Sequence, residues 1–151
     1  MRPNQTETPA IIIREFRIED YDAVTALWDK AGLSYRPTGR DSRERIANQI
    51  ELDSTIFLVA KVNGALVASI LGTHDGRKGW INRLAVAPEL RHRNIARRLV
   101  TEVEDRFSRA GIEVTACLIE EANAESMRLF QKLGYERYEV AYFSKRRSPD
   151  A

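Results

Sequence analysis

LAVAPELRHRNIARRLV (residues 84–100) decides how the chain is read. It leaves an apolar strand, breaks at Pro88 and enters a helix through RHRNIA (91–96). Beyond the break, Ile95, Leu99, Val103 and Phe107 recur every four residues, which predicts one apolar stripe on a helix from about 95 to 110, ended by Gly111. A strand that turns into a helix start exposes N–H groups with no partner inside the helix, and the helix dipole adds about half a positive charge there. Such a turn attracts anions. Arg91, Arg93, Arg97 and Arg98 add charge, while the small Asn94 and Ala96 let a phosphate approach the main chain. Asn94 is also among the few non-glycine types that tolerate left-handed backbone. Two plainer readings stand beside this one. The arginines form a solvated helix face paired with Glu89, Glu102 and Glu104, or RHRNIARR and the KRR at 145–147 track nucleic acid. TEVED (101–105) interrupts any such basic stripe, so the expectation is no nucleic-acid partner.

Working outward, IIIREF (11–16) reads as a strand, and Val24, Leu27, Trp28 and Ala31 place a helix between a cap at Asp20 and a stop at Gly32. LSYRPTGR (33–40) reads as a loop, followed by a polar helix over roughly 41–53 with Ile46, Ile50 and Leu52 as its buried contacts. TIFLVAKV (55–62) and ALVASILGTH (65–74) flank Asn63-Gly64, the pair best suited to a tight hairpin turn. HDGRKG (74–79) is a second turn, with His74 exposed, and WINRLAV (80–86) a third strand in series. EVTACLI (113–119) is a fifth strand, Asn123 caps a last helix bearing Met127, Phe130 and Leu133, and YERYEVAYFSK (135–145) is a sixth strand after Gly134. The order β-α-α-β-β-β-α-β-α-β predicts an α/β fold: a mixed, mostly antiparallel sheet of about six strands flanked by four helices. Residues 11–145 read as a single domain, with 1–10 and 146–151 as flexible tails.

With 43% hydrophobic and 30% charged residues in 151, the chain has the composition of a globular domain. A net charge of +2 sets up no global field, so any basic character is local. The single cysteine, Cys117, and two distant histidines give no disulfide and no metal spacing. No apolar run approaches the roughly 18 residues of a membrane span, and the polar start has no signal-peptide pattern, so the expectation is a cytoplasmic protein without a membrane partner.

On these residues the chain resembles the GNAT superfamily of N-acetyltransferases. There a strand and the pattern Arg/Gln-x-x-Gly-x-Gly/Ala precede a helix; Arg91, Asn94 and Ala96 occupy the marked positions, Asn94 standing for the first glycine. NAESMRLFQKLGYE (123–136) is similar to a later family segment, with Asn123, Ser126, Leu129, Phe130, Gly134 and Tyr135 at corresponding places. The resemblance covers about residues 11–145 and is nearest to small single-domain members close to the ribosomal-protein N-terminal acetyltransferases.

The resemblance implies acetyl-CoA as co-substrate, no metal, and direct attack by a primary amine on the thioester. It implies that the strand at 80–86 splays from the strand at 113–119. The pantetheine arm would pair with main chain at Leu84, Ala85 and Val86, and the diphosphate would sit on N–H groups of His92, Arg93, Asn94, Ile95, Ala96 and Arg97. Asn123, Ser126 and Phe130 complete the expected cofactor contacts. Family members use a tyrosine as general acid where this chain has Phe130, and glutamates where it has Leu118 and Asn82, so no catalytic residue transfers by position. The remaining candidates are Glu120, Glu51, Asp53, Tyr35 and Tyr142, or a water chain. Cys117 as a nucleophile is the weaker alternative to Cys117 as a small core residue. The acceptor is a small molecule or a protein N-terminus, with the loop at 33–40 and the second helix as its wall, and the chain acts as monomer or homodimer. An acyl-CoA sensor without turnover is the rival reading.

Overall fold

A computed structural model describes residues 9–151; of the tail expected at 1–10, residues 1–8 lie outside the described residues. Five strands run in the order β1 (Ile11–Glu15), β2 (Thr55–Val62), β3 (Ala65–His74), β4 (Lys78–Val86), β5 (Val114–Cys117). The first four are antiparallel neighbours, and β5 alone is parallel, to β4. Helices α1 (Tyr21–Ala31) and α2 (Arg43–Gln49) follow β1, α3 (Ile95–Arg109) joins β4 to β5, and α4 (Ala124–Lys132) follows β5. The element order agrees with the sequence reading through α4.

The hairpin forms where Asn63-Gly64 predicts it, with φ of 50° and 80°, both positive as a two-residue turn of this hand requires. β3 is buried on both faces because α1 and α3 both lie against it. Trp28 of α1 and the stripe Ile95, Leu99, Val103 and Phe107 of α3 are almost fully buried, so the periodicity in the sequence marks the faces that leave water. Phe107 seats over two glycines: a Cβ added at Gly79 would lie 2.5 Å from its ring, and one at Gly72 would lie 3.1 Å from it.

Four expectations are corrected. The stretch 135–145 forms no strand and no ladder with β5, so the sheet has five strands among the described residues. Helix α2 stops at Gln49, its last apolar residue Leu52 is 56% exposed in the turn beyond, and only Ile46 is fully buried. His74 is half-buried rather than exposed: its ring meets the Phe107 ring edge-on at 5.9 Å, and its Nδ1 accepts from the Gly76 N–H. Asp20 makes no side-chain cap on α1. Its carboxylate accepts both terminal nitrogens of Arg14 at 2.7 and 2.8 Å and the Arg17 N–H at 2.8 Å, tying β1 to the turn that enters α1.

The Arg14 hydrogen bonds hold the Asp20 carboxyl below the usual aspartate range. A depressed pKa in the folded state stabilises above the ordinary aspartate value, and this contribution disappears as pH falls through the depressed one. Asp20→Asn is therefore expected to cost about 1–2 kcal/mol at pH 7, and the gap to wild type should narrow in urea melts repeated at successive pH values below about 4. An undiminished gap down to pH 2 would mean that packing, not charge, is what the substitution disturbs.

Candidate active site

β4 pairs with β5 only over Lys78–Ile81 against Val114–Cys117. From Asn82 to Val86 β4 has β3 on one side and no strand on the other, so a gap opens toward α3. The ladder ends at Ile81 and Cys117, on the stretch where the resemblance implied that the two strands part.

The gap runs into the turn at 87–94. Pro88–Leu90 make one 3-10 turn, Arg91 is extended, and His92 and Asn94 both take positive φ, 68° and 61°. Asn94 adopts left-handed backbone where a glycine would be the usual occupant, and it makes no side-chain cap. The first α3 amide with a main-chain acceptor outside the regular ladder is that of Arg98, bonded to the Asn94 carbonyl. The amides of residues 92–97 consequently donate to no main-chain acceptor among the described residues. Ile95 is almost fully buried, its side chain part of the core. Arg93, Arg97 and Arg98 are exposed and join no ion pair among the described residues, whereas Arg91 reaches Glu125 of α4 at 3.5 Å. Glu102 is taken by Arg106 and Glu104 by the Tyr135 hydroxyl, so the expected solvated pairing of the arginines with these two does not form.

Among the strand residues predicted for the cofactor, Ala85 and Val86 are buried and pair with Ser69 and Ala68 of β3, while Leu84 is half-buried. Asn123 accepts the Ser126 N–H at 3.1 Å, a cap that fixes the start of α4 beside Glu125. Phe130 is 5% exposed and meets Tyr135 edge-on at 5.0 Å, in the core. The turn residues 91–97 and β4 thus stand together at one gap, and Asn123 and Ser126 frame the α4 end opposite Arg91.

The catalytic candidates are not brought together. Glu120 is exposed and its carbonyl accepts the Asn123 N–H. Glu51 and Asp53 are exposed in the turn after α2, and Tyr142 lies on the extended segment after α4. Tyr35 is half-buried in the loop after α1, edge-on to Trp28, its hydroxyl 3.3 Å from the Asp29 carboxylate; burial and that charge raise its pKa. Burial pushes the Cys117 thiol up to about 11, so it is protonated at neutral pH and unfit as a nucleophile.

The sequence reading missed one constellation. Arg83 sits at a β-bulge in the β3–β4 ladder with φ of 53°. A bulge re-aims a side chain, and here it sends the guanidinium onto Asp41 at 2.5 Å, onto the Ser34 carbonyl and over the Trp28 ring. Asp41 also accepts the Arg36 N–H, and its carbonyl accepts the Tyr21 hydroxyl. Ser69 accepts from the Trp28 indole and donates to the Arg83 carbonyl. The α1–α2 loop is thereby pinned to β4 where the gap begins. Burial lowers the Arg83 pKa and the Asp41 charge opposes it. Two signals in the sequence pointed here: a serine inside the apolar run ALVASILG, and a tryptophan whose N–H needs an acceptor when buried.

Among the described residues no group of His, Cys, Asp and Glu stands close enough to hold a metal ion, and no helix is long and apolar enough to cross a membrane.

Comparison with known proteins agrees with this fold. Residues 21–135 match the model of the acetyltransferase (GNAT) family. An acetyltransferase of Pectobacterium atrosepticum is 34% identical over 134 residues, covering 89% of this chain and 94% of its own. Among solved structures, the aminoglycoside N-acetyltransferase AAC(6')-Iy in complex with CoA superposes with a TM-score of 0.76 at 18% identity, covering 95% of this chain and 99% of that one. The PaiA N-acetyltransferase from Thermoplasma acidophilum, in complex with coenzyme A, gives 0.76 at 21% identity, covering 87% and 93%. With a β4–β5 ladder that stops at Ile81, an uncapped turn at 91–97 and a family match over most of its length, the chain belongs to the GNAT family of acetyltransferases.

Proposed function

We propose that this chain, acting as one unit over residues 11–145, takes acetyl from acetyl-CoA and transfers it to a primary amine on a small molecule or a protein N-terminus. The observation that carries the reading is the run of amides at 92–97 without main-chain acceptors, at the end of the β4–β5 gap. Those N–H groups and the Arg93 guanidinium suit a diphosphate. The main chain of Leu84, Ala85 and Val86 suits the amide-bearing arm, and Arg91, held by Glu125, links the turn to the Asn123-capped helix. Coenzyme A supplies the acetyl group as a thioester. The protein's share is positioning in the gap, an effect that accounts for roughly 7–11 kcal/mol of barrier in well-oriented systems. The pinned loop at 33–41, with Tyr35, forms the acceptor wall, and solvent water is the favoured carrier of the amine proton. A reduced Cys117 suits the cytoplasm.

Coenzyme A at about 100 times its Kd is expected to stabilise the protein by about 2.7 kcal/mol, read as a rise in Tm. Arg93→Glu should weaken the binding about tenfold, or roughly 1.4 kcal/mol, with an unchanged Tm in the absence of ligand. No rise in Tm, or equal affinity in the variant, would remove the socket. Phe130, buried where family members carry their acid, favours a second reading as an acyl-CoA sensor. Thiol released from acetyl-CoA only when an amine panel is present supports the enzyme; tight binding with no release under any amine supports the sensor.

A further inference from the structure

The loop that joins α1 to α2 is basic where it meets the gap. Over residues 34–45, Arg36, Arg40, Arg43 and Arg45 stand against Asp41 and Glu44. Asp41 is taken by Arg83, and Arg43 reaches back to Asp22 of α1. Arg36, Arg40 and Arg45 join no ion pair among the described residues. Asp29 of α1 accepts the Tyr35 hydroxyl at 3.3 Å rather than an arginine.

Arg36 and Arg40 flank one tight turn. The Gly39 and Asp41 amides both donate to the Arg36 carbonyl at 3.0 Å, and the Arg36 amide donates to the Asp41 carboxylate at 2.7 Å. That carboxylate holds Arg83, which lies just past the last β4–β5 rung at Ile81. Burial lowers the Arg83 pKa, the Asp41 charge raises it, and the Arg40 charge lowers it again, so Arg40 acts on the group at the mouth of the gap. Asp150 and Ala151 cross the loop at Gly39, where a Cβ would overlap the Asp150 carbonyl, yet Asp150 pairs with neither arginine and Arg40 stays exposed. Two free guanidinium groups on a turn fixed by its own main chain suit an anion, because each offers its donors in a planar fork that matches a carboxylate. They repel a second ammonium at the same place.

We propose that the acceptor of this chain is an amine that also carries a carboxylate, held by Arg36 and Arg40 while its amino group enters the β4–β5 gap beside the exposed Asn82. The inference rests on the acetyl-transfer reading for the fate of the amine and on the loop for the carboxylate. The amine nitrogen bonds to the acetyl carbon, the carbon–sulfur bond breaks, coenzyme A leaves as the thiol, and the surplus amine proton passes to water. The two arginines take part in none of these changes and act as positioning residues.

The test compares n-butylamine, γ-aminobutyrate and putrescine, amines alike except at the far end, together with homologues one carbon shorter and longer. Thiol release from acetyl-CoA gives kcat/KM, and calorimetry on the protein saturated with coenzyme A gives binding. The acid-bearing amine is expected to lead by about tenfold through KM, the effect of one charge-assisted contact, with the diamine poorest. Arg36→Gln with Arg40→Gln should abolish the preference, and Arg36→Glu with Arg40→Glu should turn it toward the diamine, which misfolding does not do. Both variants should keep the rise in Tm with coenzyme A, whose turn at 91–97 lies elsewhere. The dipeptide amides of Ala-Glu and Ala-Gln, run alongside, tell a protein terminus from a small molecule as the source of the carboxylate. Arginine-dependent binding without thiol release upholds the carboxylate site and removes the acetyl-transfer reading alone. Equal kcat/KM across both the amines and the dipeptides, a wild-type preference for the diamine, or no arginine-dependent binding of any acid-bearing amine overturns the proposal.

Discussion

Asp41→Ala is expected to lower stability by about 3–5 kcal/mol, because it strands a buried guanidinium without its counter-charge. At 151 residues that amounts to a fall in Tm of roughly 6–20 °C. Arg83 is held by three groups at once, the Asp41 carboxylate, the Ser34 carbonyl and the Trp28 face, and its backbone already sits in a strained left-handed conformation. Removing Asp41 also frees the Arg36 amide, so the loop at 34–41 loses both of its anchors on that carboxylate. Asp41→Ala with Arg83→Met should recover part of the loss, since the stranded charge goes with it. In the surviving folded fraction the Kd for coenzyme A should change little while KM for the amine rises, because the pinned loop lies apart from the turn at 91–97. A Tm within a degree or two of wild type would show that the pair only breaks even against its desolvation.

Phe107→Ala comes next, with an expected cost of about 3–5 kcal/mol for truncating a fully buried ring. The ring fills the volume that Gly72 and Gly79 leave open and supports the His74 edge, so nothing nearby can collapse into the space without backbone movement. Gly79→Ala alone should also destabilise, since its methyl would stand 2.5 Å from the ring. The two changes together should cost less than their sum, because the added methyl then occupies part of the vacated volume. Urea melts of the four proteins close this cycle, and simple additivity would mean that the glycines do not form the seat of the ring.

Most of the fold was legible because its signals are local. The four-residue spacing in α3, the Asn63-Gly64 turn and the break at Pro88 each fix an element with no reference to distant residues. Left-handed backbone at Asn94 was legible in the same way, from the residue type and the demands of the turn. The sixth strand was not, since YERYEVAYFSK carries a strand pattern, and a pattern alone does not supply the edge that a strand needs to pair with. Leu52 misled because helical spacing continued past the point where the turn after α2 unwinds. Asp20 misled because Arg14, six residues earlier, outbids the helix start for its carboxylate. The Arg83–Asp41 pair joins residues 42 apart through a bulge, and alternation along β4 assigns Arg83 no such direction. The turn at 91–97 could be read from sequence because it is contiguous; the pinning of the loop at 34–41 could not, because α1, β3, β4 and the loop itself meet to build it.

The short ladder between β4 and β5 has a thermodynamic corollary. Only the residues at 78–81 and 114–117 are paired, so the part of the chain from β5 through Tyr135 is fastened to the rest by few main-chain bonds, by the Tyr135 hydroxyl on Glu104 of α3 and by the Arg91–Glu125 pair. A unit so fastened opens ahead of global unfolding, as a separate foldon. A ligand that bridges the gap fastens both sides at once, so its occupancy and the slow exchange of amides in the last third of the chain must rise together.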